Sequence, residues 1–192
     1  MEVEIVEIKE EEKEVLLNLI EKYLYEFSQW EKTDVNVEGN YGYEYLDCYF
    51  EEENRYPYFI KVDGKLAGFA MISDYPEMPE ETTDYCLSEF FMMYKYRRGG
   101  VGRKAVNSVL DKHHGKWQLK RHPHNTVSVK FCRMMNVLFL CVGKIQSGIR
   151  NGSRGNMKHI WKQENVVLLS RRCIKKNRNS RWKNVTLSGK IH

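Results

Sequence analysis

The stretch Glu89-Phe90-Phe91-Met92-Met93-Tyr94-Lys95-Tyr96-Arg97-Arg98-Gly99-Gly100-Val101-Gly102 decides the fold. It closes an apolar run of strand length, Cys86 to Met93, whose one carboxylate is Glu89. It then opens a helical pattern, with Val101, Ala105 and Val109 on one flank and Val106 and Leu110 beside them. Glycines at such a junction let the backbone turn tightly, so that successive N–H groups converge at the positive end of a helix. That concavity suits a phosphate. Arg97, Arg98 and Arg103 add positive charge around it. The plainer alternative is a strand-to-helix turn with basic neighbours.

Spacing excludes two common phosphate motifs. There is no G-x-x-x-x-G-K-[ST], so the turn is not a P-loop. No G-x-G-x-x-G follows the first strand with an acidic residue about 20 positions on, which argues against a dinucleotide fold. What remains is Arg97-x-x-Gly100-x-Gly102 directly behind an apolar strand.

Outward from this unit the chain reads as mixed α/β. Glu2 to Ile8 alternates as a short edge strand. Glu10 to Trp30 is a helix whose apolar face carries Leu16, Ile20, Tyr23, Leu24 and Phe27, with glutamates in its first turn. Thr33 to Tyr43 is a glycine- and asparagine-rich loop, and Tyr43 to Glu52 a short second helix. Tyr58 to Val62 and Leu66 to Ser73 form a hairpin around Asp63-Gly64, the pair a type I′ turn prefers. After the glycine turn the helix ends at His113 and His114, with Gly115 placed for a left-handed C-cap. Trp117 to Arg121 is a strand broken by Pro123, and Asn125 caps a last helix, Thr126 to Met135. His122 and His124 are spaced to bind a metal, but an exposed loop is the expectation, and no metal site is assigned.

Composition sets the setting. Five unevenly spaced cysteines (48, 86, 132, 141 and 173) without a C-x-x-C pair make neither a disulfide framework nor a zinc site. No apolar run approaches the ~18 residues of a membrane span. The start carries no secretory pattern, and a cytoplasmic location is expected. The net charge of +5 conceals an asymmetry: residues 1–92 hold 24 acidic and 7 basic side chains, residues 93–192 hold 2 and 24. An acidic half favours a cationic ligand and a basic half an anionic one. Mutual attraction of the halves across one core is the alternative.

The segment Glu89 to Gly102 resembles the pyrophosphate-binding segment of the GNAT superfamily, the acetyl-CoA-dependent N-acetyltransferases, and is most similar to its small-molecule and polyamine-acetylating members. The block Phe27 to Gly68, with Asp34-Val35-Asn36 and Tyr43 to Asp47, resembles a bacterial branch of predicted acetyltransferases. The resemblance spans residues 1–131 and implies a mixed, mostly antiparallel central sheet with helices on both faces. It also implies two neighbouring strands that splay to admit the pantetheine arm of acetyl-CoA, the cosubstrate. Phe91, Met92 and Met93 would offer backbone groups to the cofactor, the amide of Met92 or Met93 polarising the thioester carbonyl. Amides of Arg98, Gly99, Gly100, Val101, Gly102 and Arg103, with Arg97 opening the motif, would hold the pyrophosphate, and Asn125 would touch the pantetheine arm.

Transfer to an amine needs a proton acceptor. Glu89 is the candidate by position; its alternative role is to attract a cationic amine or pair with an arginine. The family often places a tyrosine on its last helix to protonate the leaving thiolate. Here Cys132 aligns with that position, which leaves Cys132, Tyr94 or solvent as the acid. The acidic, aromatic segment Tyr41 to Tyr58 (Glu44, Asp47, Glu51, Glu52 and Glu53 among tyrosines) suits a cationic acceptor, or else is a solvated face over core aromatics.

Residues 130–192 hold 15 basic side chains and one acidic. The expected domain therefore ends near residue 142, followed by an irregular basic tail, 143–192. Val137 to Val142 and Val166 to Leu169 are the only stand-ins for the family's last two strands. The tail reads as a nucleic-acid-binding arm, as a peculiar terminus of the fold, or as a reading frame changed near residue 132, the reading preferred here. The expected function is acetyl transfer to a primary amine of a small molecule, by a monomer or homodimer without a membrane partner. The rival is a non-catalytic scaffold whose basic tail binds nucleic acid.

Overall fold

Alternation along the central hairpin sorts side chains to two faces of one sheet. The computed structural model describes residues 1–74, 83–120, 122, 124–134, 140–142 and 166–170. In chain order it contains β1 (Val3–Glu7), a 3-10 turn (Glu10–Glu12), α1 (Lys13–Glu31), α2 (Cys48–Glu51), β2 (Arg55–Val62) and β3 (Lys65–Ser73). There follow β4 (Tyr85–Met92), a 3-10 turn (Tyr94–Tyr96), α3 (Val101–Lys112), β5 (Lys116–Lys120), α4 (Thr126–Met134), β6 (Leu140–Val142) and β7 (Val166–Ser170). The strands join in the order β1-β2-β3-β4-β5-β7-β6. Every pairing is antiparallel except β4 with β5.

Phe59, Phe69, Met71 and Phe91 point to one face and pack under Leu16, Leu19, Ile20 and Tyr23 of α1. Their neighbours Tyr58, Ala70 and Ile72 point to the other, against Val106, Val109 and Leu110 of α3 and Trp117 of β5. A third cluster joins Ile60, Val62, Ala67 and Met92 to Val101 and Ala105 at the start of α3. Helices thus cover both faces, as expected. The β2–β3 turn has positive φ at Asp63 (48°) and Gly64 (75°), the type I′ requirement.

Two register shifts shape the middle of the sheet. One lies at Ile60/Lys61 of β2, where a Cβ on Gly68 would sit 2.0 Å from the Phe91 carbonyl oxygen. The second lies between Met71 and Ile72, which pair with Glu89 and Leu87 and leave Ser88 unmatched on β4. A bulge of this kind re-aims the side chains beside it. The parallel pairing then stops: β5 accompanies β4 only from Tyr85↔Trp117 to Leu87↔Leu119, while β4 continues to Met92. Beyond Leu87, β4 has among the described residues a strand neighbour on its β3 side alone.

Some boundaries differ from expectation. The C-cap of α3 is His113, with φ −119°, and Gly115 is not left-handed. Gly115 serves a close approach instead: a Cβ there would lie 2.7 Å from Asp84 Oδ2, the oxygen that accepts the Lys116 amide at 2.7 Å. The exposed-loop expectation for His122 is also corrected. Its ring stacks on Trp30 at 5.4 Å and its Nε2 lies 3.0 Å from Glu31 Oε1, because the end of α1 offers an aromatic and a carboxylate together. At the end of the expected domain β6 pairs with β7, and β7, which lies in the expected tail, pairs with β5. The rest of 143–192 lies outside the described residues, as do Arg121, Pro123 and Met135.

Candidate active site

The part of β4 beyond its pairing with β5 leads into the glycine turn. The Met93 amide donates to Ala67 O at 2.8 Å. In an antiparallel pair the next N–H points the opposite way, so the Met92 amide faces the side that β5 has left. Arg97 is committed to structure. Its Nε donates to Met92 O at 2.6 Å, its Nη2 meets Glu26 Oε1 of α1 at 2.6 Å, and its guanidinium covers the Tyr94 ring at 4.1 Å. It therefore clamps the end of β4 to α1.

Arg98 (φ 64°) and Gly100 (φ 78°) are both left-handed, immediately before α3 starts at Val101. Alternation of left-handed with other conformations turns consecutive amides to one side and makes an anion-sized concavity. A Cβ on Gly100 would meet nothing within 4 Å, so the space before the turn is open. Gly102 lies deeper: its Cβ would be 3.2 Å from the Phe131 ring of α4, which in turn stacks on Phe90 at 5.7 Å. Arg98, Gly99 and Arg103 are exposed, while the Val101 side chain belongs to the core.

Asn125 caps α4 as expected, its Oδ1 accepting the Ser128 amide at 3.0 Å. Cys132, on the same helix, is buried. Tyr94 is exposed on the 3-10 turn.

Glu89 lies on the α1 side of β4, half-buried, between two tyrosines. Tyr23 of α1 donates its hydroxyl to Oε2, and Tyr43 of the loop after α1 donates to Oε1 at 3.2 Å. Burial raises the carboxyl to about 7, and the two hydroxyls pull in the opposite direction by bonding the ionised form. Burial and the neighbouring carboxylate hold both phenols above their usual range, so they stay protonated donors. A carboxylate poised near neutrality can accept a proton and release it again. Glu89 was legible in the sequence; its partners were not. Tyr23 reads as one more apolar position of an amphipathic helix, and only its hydroxyl hints at more.

The acidic segment is partly spent on the fold. Asp47 pairs with Lys13 at 2.7 Å and Glu52 with Arg55 at 2.6 Å. Tyr49 is a core residue, whereas Tyr45 is exposed. Among the described residues no cluster of His, Cys, Asp and Glu could hold a metal ion, and no helix is long and apolar enough to cross a membrane.

Among the described residues the sheet has one parallel pair, β4 with β5, and that pairing stops at Leu87, short of the glycine turn that follows β4. Residues 19–136 match the model of the acetyltransferase (GNAT) family, and the chain belongs to that family, whose cosubstrate is acetyl-CoA. No curated protein matches it significantly. Solved structures share the fold at low identity. A Corynebacterium glutamicum protein described as histone acetyltransferase HPA2 and related acetyltransferase has 10% identity and a TM-score of 0.61, over 88% of this chain and 97% of that one. An acetyltransferase from Thermus thermophilus has 11% identity and a TM-score of 0.58, over 88% and 96%. The PaiA N-acetyltransferase of Thermoplasma acidophilum, solved with coenzyme A, has 14% identity and a TM-score of 0.53, over 89% and 100%.

Proposed function

We propose that the protein moves an acetyl group from acetyl-CoA to a primary amine of a small, cationic molecule. The observation that carries this reading is Glu89: a carboxylate poised near neutral pH, held by a hydroxyl on each oxygen, on the strand that runs from the opened sheet into the glycine turn. Ionised, it attracts an ammonium group and takes the proton that must leave before the amine can attack. The acidic residues around the loop, Glu44, Glu51 and Glu53 among them, add to the attraction.

Acetyl-CoA supplies an activated acyl group whose carbonyl oxygen gains negative charge during transfer. The Met92 amide, turned away from β3, is the donor for that oxygen, an effect worth about 3 kcal/mol in comparable sites. Met92 is preferred to Met93 as the donor in this reading, because the Met93 N–H donates to Ala67 O. The amides from Arg98 to Arg103 hold the pyrophosphate, supported by the two left-handed residues and the open space at Gly100. The Asn125 side chain, with Oδ1 given to the helix cap, reaches the pantetheine arm through its amide hydrogens. Arg97 acts by fixing the end of β4. Cys132 and Tyr94 are the candidates for returning a proton to the leaving thiolate, and Cys132→Ser and Tyr94→Phe tell them apart. The location proposed is cytoplasmic.

The test is a thiol-release screen of amines with acetyl-CoA, run beside thermal unfolding with and without coenzyme A. Stabilisation of about 2.7 kcal/mol is expected at a hundredfold excess over Kd, with turnover confined to amines that are cationic at neutral pH. Turnover of neutral alcohols alone, or none in the presence of clear CoA binding, overturns the amine assignment.

A further inference from the structure

The loop that carries Tyr43 is tied to α1 by one side chain. Both oxygens of Glu21 are used: Oε2 accepts the Tyr41 amide at 2.8 Å and Oε1 the Gly42 amide at 2.9 Å. Gly42 is left-handed (φ 74°), which lets two consecutive amides face one carboxylate. Before this clamp the loop closes on itself, since Asn36 Oδ1 accepts the amides of Glu38 and Asn40 at 3.0 and 2.9 Å. The residue after the clamp is Tyr43, whose hydroxyl reaches Glu89. Tyr23, which holds the other oxygen of Glu89, stands two residues from Glu21 on α1.

We infer that Glu21 is a positioning residue: by holding the backbone at Tyr41 and Gly42 it seats the Tyr43 hydroxyl on Glu89 and so helps set the orientation and charge state of that carboxylate. The inference rests on the reading of Glu89 as the proton acceptor only for its catalytic consequence; the link itself is structural. Other ionisable groups among the described residues act here too. Tyr23 faces Glu89 from α1, Tyr49 of α2 and Arg55 of β2 act on Tyr43, and Cys86 shares the strand with Glu89.

The sign of the effect separates positioning from simple charge. Removing the negative charge of Glu21 by electrostatics alone favours the ionised form of Glu89 and moves its titration down in pH. Losing the Tyr43 hydroxyl moves it up, because a bond to the ionised form is gone. In Glu21→Gln one of the two clamped amides faces an NH₂ group instead of an oxygen, and the loop is released.

The experiment follows the Glu89 carboxyl by carbon NMR titration in protein labelled at glutamate side chains, assigned with Glu89→Gln. The set is wild type, Tyr43→Phe, Glu21→Gln and the double variant. Tyr43→Phe moves the Glu89 midpoint up by about one pH unit. Glu21→Gln moves it up as well, and the double variant goes no further than Tyr43→Phe, because both act through one hydrogen bond. A midpoint in Glu21→Gln that stays put or falls, or a double variant in which the shifts add, overturns the inference. The pH dependence of acetyl transfer is recorded on the same variants. If the carboxyl titration moves as stated while the rate profile does not follow, the positioning link stands and the role of Glu89 as proton acceptor fails.

Discussion

Replacing Glu89 by Gln tests the proposed chemistry with little disturbance to the fold. Glutamine keeps the shape of the carboxylate, and a tyrosine hydroxyl can accept from the new NH₂ as readily as it donates to an oxygen. With the carboxyl at about 7, roughly one molecule in eleven is ionised at pH 6 and ten in eleven at pH 8. The wild-type kcat/KM for a saturably bound amine therefore climbs about tenfold between these values through this group alone. The amine's own ionisation adds a second limb. Comparing amines of different basicity separates the two, because the enzyme's limb stays fixed while the substrate's moves. In Glu89→Gln the fixed limb disappears and the rate at pH 8 falls about 10² to 10⁴-fold. The assay is continuous detection of free CoA thiol, with coenzyme A binding checked separately by calorimetry. A variant that keeps more than about a tenth of the wild-type rate, or keeps the limb near pH 7, refutes the proton-acceptor role.

Other consequences follow from the same geometry. Gly100→Glu places a carboxylate in the open space before α3, in a backbone conformation that costs a side chain about 1 kcal/mol; calorimetry should show coenzyme A binding abolished in a protein that still unfolds cooperatively. Gly68→Ala drives a methyl group into the Phe91 carbonyl, and with overpacking of about 2 kcal/mol or more the thermal midpoint drops by at least about 5 °C. His113, buried with its Nε2 2.8 Å from the Tyr58 hydroxyl, is held below its usual pKa of 6.5, chiefly by burial and then by Lys112. The unfolded chain thus takes up the proton first. Stability is intact above pH 6.5 and declines as pH falls from there through the lowered value, so the urea midpoint should drop between pH 7.5 and 5, and less steeply in His113→Gln. Truncation after residue 142 deletes β7, the antiparallel partner of all five residues of β5. A lower thermal midpoint is expected, and an unchanged one would refute a contribution of 166–170 to the stability of the sheet.

The parts of the fold that were legible are those where local chemistry and global position agree. Asp63-Gly64 announces its turn because few residue pairs accept two positive φ angles, and Asn125 announces a helix because its side chain caps it. The glycine turn was legible for the same reason. Gly115 misled because glycine serves two ends: here it makes room for Asp84, which only tertiary structure reveals. Arg97 sits in the motif, yet the page of residues does not show that Met92 O and Glu26 already claim its guanidinium. Glu89 stood out as a charge in an apolar run. Tyr23, Tyr43 and Glu21 did not, since bonds spanning 66, 46 and 20 residues leave no periodic trace. The strand β7 was weakly marked because a short apolar run in a basic context has no alternation to read.

The most direct test of the whole account is a crystal structure of the protein with coenzyme A bound. The account predicts the pyrophosphate on the amides between Arg98 and Arg103, at the N-terminus of α3, with the pantetheine arm lying between β4 and β5. A nucleotide lodged elsewhere, with that turn empty or filled by protein, contradicts it.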